Sequence, residues 1–364
     1  MGAQIGDQYV IPFEQASNHD VSLIGGKCAG LASLVAAGAT VPPGFAVTTR
    51  AYLETLAARR LECEIRTRIE AVTDTDVGAQ ARIACEIQDL IRSEAIPGRI
   101  TDAIRLGYEQ LCARVGQDLP VAVRSSGTSE DMPEASFAGQ GDTYLWTVGA
   151  DAVVSRVRDC WASLFTARAI AYRGKHKLAH LEQAMAVGVQ QMADARAAGV
   201  AMSLDPANGD RSKIVIESVW GLGEPLVSGQ ATPDFFVVDK VLLEPIKRVV
   251  ASKPTELVAD IANQTTMLRE VEEARRNVAS LTDAQIRAVA RVVKAVERAF
   301  GAPQDVEWAI DARKTEDEGV VLLQCRPETV WSRKASAPIV SRSYAPGIEG
   351  VLSTLMAPLA SRKH

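Results

Sequence analysis

Two strand-like runs toward the C-terminal end constrain the fold more than any other stretch. Asp305-Val-Glu-Trp-Ala-Ile-Asp and Val320-Val-Leu-Leu-Gln-Cys-Arg-Pro are separated by a charged segment that contains glycine, and this pattern predicts a β-hairpin. A period of two puts Val306, Trp308 and Ile310 on one face and Asp305, Glu307 and Ala309 on the other, while Gln324 and Arg326 share a face of the second strand. A carboxylate, an amide and a guanidinium can therefore converge on one side of a sheet whose other side is apolar.

At 364 residues the chain exceeds one ordinary core, so two subdomains with a cleft between them are expected. The pattern divides accordingly. Leu23-Ile-Gly-Gly-Lys-Cys-Ala-Gly is a glycine-bearing turn into a helix with Leu31, Leu34 and Val35 on one face, closed by Gly38, so Lys27 falls near a helix N-terminus. Val41-Pro-Pro-Gly-Phe-Ala-Val is extended. Thr48 or Thr49 can cap the next helix, which carries Tyr52, Leu53 and Leu56, and residues 51–115 read as a mostly helical scaffold. Val121-Ala-Val-Arg-Ser-Ser is a short strand that delivers Arg124 to its end, and Ser136-Phe-Ala-Gly-Gln-Gly-Asp-Thr-Tyr is a second glycine-bearing loop. In residues 151–180, Val153, Val157, Trp161, Leu164 and Phe165 recur at helical spacing, a core stripe. From Ala186 the pattern turns to strands, at 186–192, 199–204, 214–218 and 235–238. A capping box of Thr282 with Gln285, and a staple of Leu281 on Ile286, start a helix that buries Val289, Val293 and Val296 and ends at Gly301. The expected division is residues 1–185, residues 186–331 and a linker or docking tail, residues 332–364.

Several function classes are excluded. The formal charge is −5, which opposes nonspecific nucleic-acid binding. No apolar run approaches the roughly 20 residues of a membrane helix. The start of the chain lacks a basic region and an apolar signal core, and the six cysteines show no C-x-x-C pairing, so reduced thiols in the cytoplasm are expected. Gly25-Gly-Lys-Cys lacks the earlier glycine and the Ser/Thr of a P-loop, and Gly221-Leu-Gly-Glu-Pro-Leu is not G-x-G-x-x-G. No cysteine or histidine pair has zinc-ligand spacing, and G-x-S-x-G is missing.

What remains is phosphate-friendly. Lys27 beside a glycine turn, Arg124 at a strand end and Arg326 on the late strand supply three cations, and Gly139 permits close backbone approach. Glu307 with Gln324 offers hard oxygen ligands of the kind Mg²⁺ takes, with phosphate oxygens and water completing the shell. Read singly, each has an ordinary alternative: a solvated lysine, two structural ion pairs, a solvent-facing glutamate and a turn glycine.

The strings themselves go further. Ser22-Leu-Ile-Gly-Gly-Lys-Cys-Ala-Gly-Leu, Val41-Pro-Pro-Gly-Phe, Val123-Arg-Ser-Ser, Ser136-Phe-Ala-Gly-Gln, Gly221-Leu-Gly-Glu, Asp305-Val-Glu-Trp-Ala and Gln324-Cys-Arg-Pro-Glu-Thr-Val occur in one order. From about Tyr9 to Trp331 the chain resembles the ATP-binding domain of the phosphoenolpyruvate synthase and pyruvate phosphate dikinase family, shared with rifampin phosphotransferase. The resemblance implies an α/β (α+β) ATP-grasp fold of two subdomains with ATP and Mg²⁺ in the cleft. It implies Lys27 and Arg124 as phosphate-binding cations, Gly139, Thr143 and Tyr144 as the loop over the nucleotide, and Gln190 at the adenine. It further implies Glu307 and Gln324 as metal ligands, and Arg326 on the transferred phosphates. Lys27, Arg124 and Arg326 are thus the expected catalytic residues. Cys28 departs from the family, which usually has a small residue there.

Full-length relatives in this family also carry a mobile domain whose histidine accepts phosphate. Neither His19, His176, His180 nor His364 lies in the glycine-threonine-histidine context of that domain. The resemblance therefore implies a phosphohistidine partner and a small-molecule acceptor bound elsewhere, with no nucleic acid and no membrane. A split arrangement of this kind is similar to phenylphosphate synthase, and the ending Ala-Ser-Arg-Lys-His is expected to be a natural terminus. An excised domain or an ATP-responsive regulatory subunit are the alternatives. Phenol, pyruvate and an antibiotic are equally compatible acceptors at this stage.

Overall fold

The computed structural model describes residues 8–17, 20–71, 76–128, 142–175, 181, 183–314 and 319–332. Gly139, the four histidines and residues 333–364 lie outside these.

The first unit is built on a five-stranded sheet. Its elements in chain order are β1 (Val10–Pro12), α1 (Val21–Ala36), β2 (Gly44–Val47), α2 (Thr49–Ala58), α3 (Leu61–Glu70), α4 (Val77–Ser93), α5 (Gly98–Val115), β3 (Val121–Gly127), β4 (Thr143–Thr147), α6 (Ala150–Ser163), α7 (Ala167–Lys175) and β5 (Met185–Gln191). The spatial order is β1-β2-β5-β3-β4, with every pair antiparallel. Helices α2 to α7 close over one face, where Ile87, Ile100, Ile104, Trp161 and Phe165 pack on Val121, Val123, Val187 and Val189. The apolar stripe at 153–165 is core, as its spacing indicates. In α2, Tyr52 and Leu56 are buried but Leu53 is exposed, because it sits a quarter-turn off that face. The Thr48 hydroxyl does not cap α2; it donates to Gln8 O, and Thr49 Oγ1 donates to Ser22 O.

The second unit contains β6 (Ala195–Met202), β7 (Lys213–Trp220), α8 (Glu224–Val227), β8 (Asp234–Asp239), β9 (Pro245–Val249), β10 (Thr255–Asp260), β11 (Thr265–Glu270), α9 (Glu273–Arg276), α10 (Asp283–Phe300), β12 (Gln304–Asp311) and β13 (Val320–Pro327). Six strands form an antiparallel sheet in the order β13-β12-β6-β7-β8-β9, and β10 and β11 form a separate hairpin. Helix α10 starts at the expected capping box, with Thr282 Oγ1 accepting from Gln285 N and Gln285 Oε1 accepting from Thr282 N, and stops at Gly301 with φ 69°. Its Val289, Val293 and Val296 pack on Val306, Trp308 and Ile310, the apolar face that alternation assigns to β12. A buried ion pair braces this unit. Lys253 and Asp234 are 3% and 0% exposed, and Asp234 also accepts from Ser280 N, Ser280 Oγ and Ala251 N, so neither charge is left uncompensated.

The mixed, antiparallel architecture fits the α+β expectation. The strand at Met185–Gln191 pairs with β2 and β3, so a boundary before residue 186 cuts the first sheet. The chain passes to the second sheet between Gln191 and Ala195. Local alternation marks the strand but carries no information on which sheet it joins.

Candidate functional site

Between the two sheets lies a cleft lined by Lys27, Arg124, Thr143, Gln190, Glu307, Gln324 and Arg326. These seven residues come from α1, β3, β4, β5, β12 and β13, so only tertiary structure brings them together.

Lys27 reaches the cleft because α1 is kinked at Gly25, whose φ of 72° breaks the helix and starts a second helical run just before the lysine. Its Nζ donates to Ser125 O at 3.1 Å. Arg124 projects from β3 across the cleft floor, where Nη1 donates to Leu323 O at 3.3 Å and Nη2 lies 3.5 Å from Glu307 Oε2. Its buried Nε has no hydrogen-bond partner among the described residues, an opening for an anionic oxygen. On the opposite wall, Glu307 is paired in register with Gln324, and Asp305 with Arg326. Arg326 is half-exposed, with Nε donating to Asp305 Oδ2 at 3.3 Å. Burial pushes the Asp305 carboxyl above the usual aspartate range, although Arg326 pulls it down.

Away from the charges the cleft becomes apolar. Ala122, Leu145, Met192 and Leu222 line it and belong to one small apolar cluster. Gln190, 2% exposed, also lines a small cavity with Lys27, Arg124 and Gln324, and its Nε2 donates to Pro42 O at 3.3 Å. The cleft thus combines apolar lining with three cations, a combination that an aromatic base joined to phosphates requires. Glu224, at the first turn of α8, also lines the cleft. Sequence reasoning gave no role to Leu145, Met192, Leu222 or Glu224. The string Gly221-Leu-Gly-Glu was the available signal for the last two.

Tyr144 is not among the residues that line the cleft. Thr143 and Leu145 line the cleft, and alternation along β4 turns Tyr144 to the other side. There its hydroxyl donates to Asp142 Oδ2 at 3.0 Å, the Arg156 guanidinium lies over its ring at 4.8 Å, and the ring packs on the first core. Burial, with Asp142 next, raises its pKa. Gly139, expected beside it, is outside the described residues.

Among the described residues no group of three or more His, Cys, Asp or Glu side chains could enclose a metal ion. Glu307 and Gln324 offer two oxygen donors on adjacent strands. That set suits Mg²⁺, which is commonly held by one or two protein oxygens together with phosphate oxygens and water. No described helix is long and apolar enough to cross a membrane.

Comparison with known proteins identifies the family. The family described as pyruvate phosphate dikinase, AMP/ATP-binding domain, matches residues 21–344. A probable phosphoenolpyruvate synthase of Methanothermobacter thermautotrophicus is 41% identical over 323 residues, covering 88% of this chain and 46% of that protein. The phosphoenolpyruvate synthase of Aeropyrum pernix is 39% identical over 353 residues, covering 89% and 43%. That of Pseudomonas aeruginosa is 36% identical over 349 residues, covering 92% and 44%. The chain thus spans less than half the length of these relatives. With a match over most of its length, the chain belongs to the pyruvate phosphate dikinase AMP/ATP-binding domain family.

Proposed function

We propose that the chain binds Mg-ATP between its two sheets, in an ATP-grasp arrangement, and serves as the nucleotide half of a dikinase-type phosphotransferase. The observation that carries this reading is the convergence of Lys27, Arg124, Thr143, Gln190, Glu307, Gln324 and Arg326 on one cleft that also has apolar lining. In this reading Leu145, Met192 and Leu222 sandwich the purine, Gln190 lies at its edge, and Lys27, Arg124 and Arg326 bind phosphate oxygens. Glu307 and Gln324 would hold Mg²⁺, which neutralises charge on those oxygens when bound. The two functional units are residues 8–191 and 195–332, with Met192–Asp194 between them.

The reaction is ATP + H₂O + histidine → AMP + Pi + phosphohistidine. Both anhydride bonds break, the imidazole nitrogen takes the β-phosphoryl group and water accounts for the released γ-phosphate. Such transfer needs mainly positioning and charge neutralisation from the protein, which is what three cations and two oxygen ligands offer. The histidine lies on a phosphohistidine partner, and the final small-molecule acceptor, phenol being one candidate, binds elsewhere. Incubation with ATP, with and without the partner, tests the reading: AMP and Pi are expected only with it. Accumulation of ADP in its presence sinks the dikinase assignment.

A further inference from the structure

The width of the cleft depends on how helix α1 packs against its two walls. Helix α1 makes two unusually close approaches, one to each sheet, and Lys27 lies between them. On one side Gly25 packs so tightly on Ser126 of β3 that a Cβ there would overlap Ser126 O and Oγ. Ser126 Oγ accepts from Cys28 N at 3.1 Å and donates to Ile24 O at 2.9 Å. On the other side a Cβ at Gly30 would come within 2.8 Å of Cys325 O, and Cys325 Sγ lies 3.6 Å from Gly30 O. Cys325 stands between Gln324 and Arg326. Further along, Leu34 of α1 is fully buried in the core of the second unit.

Strand β13 is the edge of its sheet, and an open edge needs cover for its backbone groups. The first unit provides that cover: Thr40 O accepts from Leu322 N, Arg124 Nη1 donates to Leu323 O, and α1 lies against Cys325. The Gly30–Cys325 approach is made backbone to backbone, so no side-chain rotation can relieve a change in it.

We propose that Gly30 is a positioning residue: the glycine contact of α1 on Cys325, opposed by Gly25 on Ser126, sets the position of the neighbouring Gln324 relative to Lys27 and thereby assembles the metal-holding part of the cleft. This rests on the nucleotide-site reading above. It assigns a function to a glycine in mid-helix, where alanine is otherwise the better helix former. A methyl group at Gly30 forces α1 and β13 apart until the 2.8 Å contact relaxes to the ordinary 3.4–4 Å range. Displacements on the order of 1 Å at reacting groups are enough to cost about 100-fold in rate.

The test is Gly30→Ala in the full chain, read by calorimetry with ATP alone and with ATP plus Mg²⁺. Gly98→Ala serves as the control, because a Cβ there meets nothing within 4 Å. Wild type and Gly98→Ala are expected to bind ATP more tightly when Mg²⁺ is added. Gly30→Ala is expected to keep its metal-free affinity within threefold and its melting temperature within a few degrees, while losing tenfold or more of the gain from Mg²⁺. Ser126→Ala, which loosens the opposite contact, is expected to show the same selective loss and carries the test if Gly30→Ala does not fold. An unchanged Mg²⁺ gain overturns the proposal, as does a parallel fall in both affinities and in melting temperature. A wild-type chain that binds no ATP overturns the functional reading and this one with it, a result distinct from a variant that behaves like wild type.

Discussion

At the charged end of the cleft, the two sheets are held against each other by α1 and by Arg124 reaching Leu323; at the apolar end, the chain crosses between them at Met192–Asp194 and the contact includes a small cluster of Ala122, Met192, Leu222 and Leu257. The difference lies in tolerance. Hydrogen bonds and glycine contacts have narrow distance optima, so the charged end tolerates little displacement. Apolar contacts are non-directional, and their strength follows buried area, so the other end tolerates more. Phosphate and metal chemistry needs the first kind of construction. Admission and release of a flat base tolerate the second.

The sharpest way to break this comparison is Glu307→Ala. At a preorganised charged end, loss of one ligand is expected to lower partner-dependent AMP formation by about 100- to 1000-fold, with co-purification of the partner unaffected. Activity that survives at an undiminished rate would instead favour a regulatory role for the cleft. Next in size is Glu328→Gln, just beyond β13. Burial alone would raise the Glu328 pKa, but hydrogen bonds from Trp331 N, Ser332 N and Oγ, and Val330 N hold it below the ordinary 4.5. The ionised carboxylate therefore adds stability that is present above about pH 4.5 and disappears as pH falls through the folded-state value. Charge-assisted bonds of this kind predict a loss of about 2 kcal/mol at pH 7, measured by denaturant titration, with the difference between variant and wild type vanishing in acid.

At the apolar end, Leu222→Ala is expected to weaken ATP binding by about tenfold, as loss of roughly 1.5 kcal/mol of buried apolar contact implies, while the fold-gain on adding Mg²⁺ stays at its wild-type value in calorimetry. A collapse of that gain would show that the two ends are not independent. Tyr144→Phe has the smallest expected effect. Because the ring faces away from the cleft, ATP affinity should change by less than twofold, and a larger loss would return this residue to the nucleotide.

The sequence was informative where a signal is local. The capping box at Thr282 and Gln285 and the stop at Gly301 depend on residues within one turn of each other, and both are realised. Alternation along residues 305–311 named the apolar face of β12 correctly, although the register with β13 shifts between Glu307 and Trp308. Where packing intervenes, local signals lose their value. The Thr48 hydroxyl donates to Gln8 O and accepts nothing from the first turn of its own helix, and Leu53 shares a helix with Tyr52 yet faces solvent. Strand β4 was read only as the end of a loop. Its register with β3 shifts between Val121 and Val123, and Trp146 adopts φ 58°, so the face that Tyr144 takes could not be inferred from residue type. The hairpin of β10 and β11, whose Leu257 backs the apolar end, carries polar and charged residues along exposed strands and gives little periodic signal.

The sequence by itself determined which side chains are the candidates for phosphate and metal, and in which order they occur, because residue chemistry and motif spacing are properties of the chain. Tertiary structure alone decided that Lys27 and Arg326, almost 300 residues apart, line one cleft, that Tyr144 does not, and that a glycine at position 30 sets the spacing. The first and last of these depend on how α1 meets the edge of β13, and the second on how β4 pairs with β3, contacts between segments that share no local pattern.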